Sequence, residues 1–126
     1  HGSTPLARVV GHASHSMEPA LFTVAPVGAM TKLLAKLGWD KNDVDLWEIN
    51  EAFAMVTMLA VKEMGLDEAK VNVNGGACAL GHPIGASGAR ILVTLIHALK
   101  ARGLKRGIAS LCIGGGEAVA LAVEVV

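Results

Sequence analysis

The chain of 126 residues contains no tyrosine, two phenylalanines and two tryptophans. Charge is scarce as well: Asp, Glu, Lys and Arg make up 17%, against roughly 25% in an average soluble domain. Apolar residues reach 52%, so an intrinsically disordered chain is excluded. Eleven Lys and Arg balance eleven Asp and Glu. A nucleic-acid surface needs a basic excess or stripe, so no nucleic-acid partner is expected. Two cysteines, Cys78 and Cys112, are too few for a disulfide framework. No Asn-x-Ser/Thr acceptor and no signal peptide are visible. A reducing, cytoplasmic setting fits. The longest apolar run, Ala52–Val61, is interrupted by Thr57 and falls far short of the ~20 residues of a spanning helix. No membrane partner is expected either.

Apolar residues and glycines are abundant instead. They promise more buried surface than a chain this short can supply alone, which points to a partner surface or a missing domain. His1-Gly2-Ser3 reads as the remnant of a purification tag, and residues 4–126 as one domain.

Strands and helices alternate along the chain. Leu6–Ala13 is a β-branched apolar strand. Gly28–Leu37 places Met30, Leu33, Leu34 and Leu37 on one helical stripe, stopped by Gly38. Asp45–Ile49 is a short strand, and Glu51–Met64 a helix apolar almost all round, closed by Gly65. Val71–Asn74 reads as a strand entering the glycine-rich stretch Gly75–Gly88. Ala89–Arg102 is a second apolar helix, Gly107–Ile113 a buried strand, and Ala118–Val125 a last strand. Only four residues, three of them glycine, separate the last two, so they form an antiparallel hairpin. The order β-α-β-α-β-α-β-β predicts an α/β fold with a mostly parallel sheet.

Three turns combine glycine or a helix start with reactive side chains. Asn50 ends a strand before a buried helix, where it either caps the helix or holds a water in a site. His82 lies between Gly81 and Pro83, among five glycines and almost no charge. A lone histidine is often structural, but glycine lets backbone approach a ligand. Cys112 precedes Gly114-Gly115-Gly116. A cysteine is often a small core hydrophobe, yet the glycines expose backbone N–H groups beside this one, as an oxyanion hole requires. Sharper motifs fail. Asp40–Val44 lacks the ligand alternation of a calcium loop, and no phosphate-binding glycine motif is present. Cys78 and His82 have no second ligand pair for zinc, so no metal is expected. His12 and His15 read as exposed strand-end residues, and His97 as packed or partner-facing.

Asn50-Glu51-Ala52-Phe53, Gly81-His82-Pro83-Ile84-Gly85-Ala86-Ser87-Gly88 and Cys112-Ile113-Gly114-Gly115-Gly116 together resemble the C-terminal half of the thiolase family. The resemblance extends to Thr4–Arg8, Glu18-Pro19 and Ala25–Val27, and so covers nearly the whole chain. Ketoacyl synthases share the fold but pair their nucleophile with two histidines, whereas this chain shows His82 and Cys112. The resemblance implies a five-stranded mixed sheet in the order 3-2-1-4-5. Strands 1 to 4 would be parallel and the last antiparallel. It implies reversible Claisen condensation and thiolysis of 3-ketoacyl-CoA, with acyl-CoA as substrate and no cofactor.

By the same resemblance, His82 would activate a nucleophilic cysteine in the missing N-terminal half and then help bind the thioester oxygen. Cys112 would move the α-carbon proton. Asn50 would hold the water that completes an oxyanion hole with His82, and the Gly114 N–H would serve a second hole. Phe53, Ile84 and Gly85 are the expected substrate contacts. His82 and Cys112 should converge within a few ångströms. The expected partners are the N-terminal thiolase domain and further copies of the protein, and the isolated chain is expected to be inactive. Glu117-Ala118 departs from the small or uncharged residue and glycine that many members carry, which marks a variant subgroup. The alternative is a stand-alone thiolase-fold module that binds acyl-CoA or a protein without catalysis.

Overall fold

Strand length decides the sheet. In the computed structural model, which describes residues 2–126, the strands are β1 (Ala7–Ser16), β2 (Leu46–Ile49), β3 (Arg106–Ile113) and β4 (Glu117–Val125). His1 of the expected tag remnant lies outside the described residues. The four strands form one mixed sheet in the order β1-β4-β3-β2. β3 and β4 form the expected antiparallel hairpin, from Arg106↔Glu124 to Ile113↔Glu117. β2 runs parallel to β3.

The expected order placed the first strand at the centre of the sheet, and the structure corrects this. β1 lies at the edge, antiparallel to β4 from Ala7↔Val125 to Ser16↔Glu117. A ten-residue strand needs a long partner to satisfy its N–H and C=O groups. β4 offers nine residues and β2 only four. Charge fixes the same register. Glu124 on β4 stands between Arg8 on β1 and Arg106 on β3, and both guanidinium groups bond its carboxylate, at 2.5 and 3.0 Å. These hydrogen bonds, Arg8's first, hold the Glu124 carboxyl below the usual carboxylate range. The strand directions are as expected: β1, β2 and β3 point one way and β4 the other.

The expected third strand, 71–74, shrinks to a single parallel bridge between Trp47 and Val71. Asn72 adopts φ of 47°, which no strand tolerates. Its side chain takes over the pairing. Oδ1 accepts from the Ile49 N–H at 2.8 Å, and Nδ2 donates to the Ile49 carbonyl at 2.8 Å. One side-chain amide thus replaces one residue of strand along the free edge of β2.

The helices are α1 (Ala25–Leu37), α2 (Ala54–Met64), α3 (Ala77–Leu80) and α4 (Ile84–Arg102). Pro26 falls in the first turn of α1, where a missing N–H costs nothing. Gly38, Gly65 and Gly103 close α1, α2 and α4. Short stretches of 3-10 helix occupy Pro19–Val24, Lys41–Asp43 and Glu68–Lys70. Two apolar layers sandwich the sheet. α1 packs Ala29, Met30, Leu33 and Leu34 with Ile108, Ala118 and Ala120 on one face. On the other, α4 packs Ile91, Leu95 and Leu99 with Leu46, Ala109 and Val123. The β1-to-β2 and β2-to-β3 crossovers run in opposite directions along the sheet. Crossovers of the same hand then place their helices on opposite faces.

α2 keeps an apolar face open, as the apolar excess of so short a chain implies. It buries only Val56 and Ala60 and leaves Met55 and Met58 half or more exposed. It leans on α1 and Pro19–Val24 rather than lying over the sheet. An open apolar groove of about 760 Å³ runs along it, lined by Met55, Met58, Leu59 and Val71 among others. By length and apolar character, 19–37 and 84–102 would each reach across a membrane. Both instead lay one face on the core, through Met30 and Leu33 and through Ile91 and Leu95.

Replacing Asn72 by Ala leaves the Ile49 N–H without its partner at the β2 edge, while the Ile49 carbonyl keeps Thr57 Oγ1. One orphaned group costs about 1–3 kcal/mol, so urea unfolding should register a loss of that size. Asn72→Gly, which tolerates the left-handed backbone, should recover about 1 kcal/mol of that. An Asn72→Ala chain as stable as the parent would refute this account of the edge.

Candidate active site

The carboxyl ends of β2 and β3 form one edge, the place where parallel α/β sheets collect their ligands. Ile49 pairs with Ser110, and the Asn50 N–H bonds the Ser110 carbonyl at 2.9 Å. Asn50 therefore stands at the last rung of the parallel ladder. Cys112 follows two residues further along the adjacent strand. Glu48 and Asn50 alternate with Trp47 and Ile49, so they face α4 while Trp47 and Ile49 face α1.

His82 ends the loop into α4, held on either side. Gly81 adopts φ of 91° and ψ of 164°, a region closed to residues with a Cβ. Pro83 then caps α4. On the ring, Nδ1 lies 2.5 Å from the Ser87 Oγ, and that hydroxyl donates to the Pro83 carbonyl at 3.1 Å. With its proton committed, Oγ presents a lone pair to Nδ1. This arrangement fits the neutral tautomer that is protonated at Nδ1 and carries its lone pair on Nε2.

Asn50 is fully buried and turns its Nδ2 toward the His82 ring, 3.5 Å from each ring nitrogen. That is the outer limit of a hydrogen bond and favours neither nitrogen. The other end of the amide, Oδ1, accepts from Arg90 Nη2 at 3.3 Å. Arg90 Nη1 donates to Glu48 at 3.3 Å. Glu48 is 2% exposed, and its second oxygen is buried without a partner among the described residues. Burial pushes its carboxyl up to about 7; the Glu51 charge adds to the rise, and Arg90 opposes it. Glu51 braces the loop before His82. Its carboxylate accepts from the Cys78 N–H at 2.9 Å and the Asn72 amide at 3.3 Å.

The structure thus brings Asn50 and His82 together. Asn50 is not the cap of α2: Phe53 holds that position, without a side-chain bond, and the helix starts at Ala54. Ile84 and Gly85 open α4, five residues earlier than the sequence pattern placed its start, and both are exposed. Phe53 is exposed and meets Phe22 edge-on, with ring centroids 6.2 Å apart. Cys112 shares the edge but lies in the α1-side core. Burial pushes its thiol up, against a weaker backbone hydrogen bond. Among the described residues, no hydrogen bond joins Cys112 to His82.

In the glycine turn, Gly116 adopts φ of 92°, and a Cβ there would strike the Met17 carbonyl. Gly114 is different: a Cβ would meet nothing within 4 Å. Glu117 folds over Gly115, with one oxygen buried and unpaired among the described residues. His15 is half-buried on β1 against Gly28 rather than exposed; His97 is exposed on α4, which leaves the partner-facing reading of the two expected for it.

Sequence reasoning missed Ser87, Arg90 and Glu48 as parts of this cluster. The signal was present. Arg90 is the one charged residue between Lys70 and Lys100, and Glu48 the one charge inside Leu46–Ile49. An isolated charge in an apolar stretch must find a partner.

The family pattern for "Thiolase, C-terminal domain" matches residues 3–125. The chain belongs to the thiolase family. An acetyl-CoA acetyltransferase of Allochromatium vinosum is 56% identical over 98% of this chain and 31% of its own length. A cytosolic acetyl-CoA acetyltransferase of Mus musculus is 55% identical over 95% and 30%. The crystal structure of the Bacillus anthracis acetyl-CoA acetyltransferase superposes with a TM-score of 0.96 at 53% identity, covering 99% of this chain and 32% of that one. The thiolase chain described here thus spans about a third of the length of the relatives it matches.

Glu48 gives the stability of this thiolase domain a definite pH dependence. Its carboxyl is raised from 4.5 to about 7 in the folded chain. Between those values the folded state binds more protons than the unfolded one, so stability falls as pH rises. Glu48→Gln should flatten that slope, worth about 1–3 kcal/mol, in denaturant titrations at pH 5 and 7.5. An unchanged slope would refute the assignment.

Proposed function

We propose that the chain is the C-terminal part of a thiolase of the acetyl-CoA acetyltransferase type. The reaction is acetyl-CoA plus acyl-CoA in equilibrium with 3-ketoacyl-CoA plus CoA. The observation that carries this reading is the Asn50–His82–Ser87 arrangement at the carboxyl edge of the sheet. Relatives named acetyl-CoA acetyltransferase over the whole of this chain support it.

The nucleophilic cysteine comes from outside this chain, and Nε2 of His82 takes its proton. The free lone pair left by the Ser87 contact suits that step. In thiolysis the thiolate attacks the keto carbon of the 3-ketoacyl-CoA. The bond between the α- and β-carbons breaks, and its electron pair passes to the departing acetyl-CoA as an enolate. The His82 imidazolium and a water held by Asn50 stabilise the enolate oxygen. Each such donor is worth about 2.7–4 kcal/mol in comparable sites. Cys112 gives its proton to the enolate carbon, and in condensation the step reverses. A thiol pushed up by burial rests protonated, as a donor must. As CoA attacks the acyl-cysteine, its thiol proton passes to the Cys112 thiolate, the cysteine leaves and regains its proton from His82, and the Gly114 N–H, beside open space at its Cα, donates to the acyl oxygen. Phe53, Ile84 and Gly85, all exposed, are the proposed acyl-CoA contacts.

The same reading supplies the partners. The exposed Met55 and Met58 face of α2 receives the rest of the enzyme or a second copy. A cytosolic setting is supported by the name of the mouse relative. No cofactor enters; coenzyme A is a substrate.

The isolated chain should show no thiolysis of acetoacetyl-CoA. In the complete enzyme, Cys112→Ala should slow exchange of the acetyl-CoA α-protons by about 10²-fold or more, while acyl-enzyme formation changes less than about 10-fold. Equal losses in both half-reactions would assign Cys112 another role.

A further inference from the structure

We propose that Arg90 is a positioning residue that sets which end of the Asn50 amide faces His82. A buried Asn amide can lie in either of two orientations related by a half-turn, and only one points its NH₂ at the imidazole. Arg90 decides between them. Nη2 donates to Asn50 Oδ1 at 3.3 Å. After a half-turn, the guanidinium would face NH₂, a donor against a donor. Asn50 itself is fully buried, so no solvent is at hand to repair that mismatch.

Arg90 is itself fixed. Nη1 donates to Glu48 at 3.3 Å, and that carboxylate is 2% exposed. Glu48 and Asn50 lie two apart on β2 and so share the α4 face of the strand. The planar fork of a guanidinium reaches both acceptors with two different nitrogens; a lysine ammonium is a single point charge and cannot present such a fork. The cluster runs from buried carboxylate to guanidinium to amide to imidazole, and only its last two members lie at the reaction edge. Arg90 therefore acts through Asn50, and it extends the oxyanion reading of Asn50 given above.

The complete enzyme tests this by a double-mutant cycle on the condensation reaction. Arg90→Gln alone should lower kcat about 10-fold, with KM within about twofold, because the amide loses its enforced orientation. In an Asn50→Ala background the same change should alter kcat less than about twofold, since no amide remains to orient. Arg90→Lys, which keeps charge beside Glu48, should behave like Arg90→Gln while its thermal midpoint stays near that of the parent. It replaces Arg90→Gln in the cycle if that variant does not fold. Equal kcat losses in both backgrounds, or an Arg90→Lys enzyme with full kcat, would overturn the proposal. An Asn50→Ala enzyme with parental condensation kinetics would overturn the oxyanion reading, and this proposal with it. Impaired Asn50→Ala beside a fully active Arg90→Gln would overturn the role of Arg90 alone.

Discussion

β2 is four residues long, and every one of them is buried. Yet the strand and the residue after it carry a carboxylate and an amide, and its outer edge carries unpaired backbone. Burying such groups without partners would cost several kcal/mol in all. The surrounding chain is arranged to supply partners. Arg90 reaches over from α4 to Glu48 and Asn50. Asn72 pairs with both backbone groups of Ile49, and Thr57 on α2 adds a second donor to the Ile49 carbonyl at 3.2 Å. Through these contacts one short strand fixes α4, the loop at Asn72 and the start of α2.

The reactive edge inherits its geometry from this arrangement. Asn72 and the Cys78 N–H both bond Glu51, so the support of β2 extends to the loop that delivers His82. Ser87 then sets the ring from the first turns of α4, the helix that also brings Arg90. The imidazole and the amide that faces it are therefore positioned by one helix. Cys112 is held differently, by the pairing of β3 with β4 and the core beneath α1. Part of the site is thus fixed by side-chain polar contacts, and the other part by sheet register.

Much of this was legible in the sequence. The hairpin after Cys112 followed from three glycines between two apolar runs, and the α1 stripe from apolar spacing. The three motifs identified the family because each unites an unusual backbone with a reactive side chain. The sheet order was not legible from alternation, since alternation leaves open which strands are neighbours. The relative lengths of β1 and β2 and the placing of Glu124 between two arginines carried that information. The strand expected at 71–74 failed because Asn72 replaces backbone pairing with side-chain pairing, which apolar patterning does not record.

The sequence by itself determined the α/β class, the helix stops and the residues able to do chemistry, because these depend on local conformation and on side-chain type. Only the tertiary structure decided which way those residues face. The His82 tautomer depends on a hydroxyl five residues away, one turn into a helix whose start the pattern misplaced. The Asn50 amide is oriented by a guanidinium forty residues on. Which helix stays open was likewise a tertiary matter: two all-apolar helices in a short chain say that one lacks cover, and the packing of α1 over the sheet leaves the outer face of α2 open. Orientation and coverage arise from contacts between distant segments, and no local rule of spacing or propensity contains them.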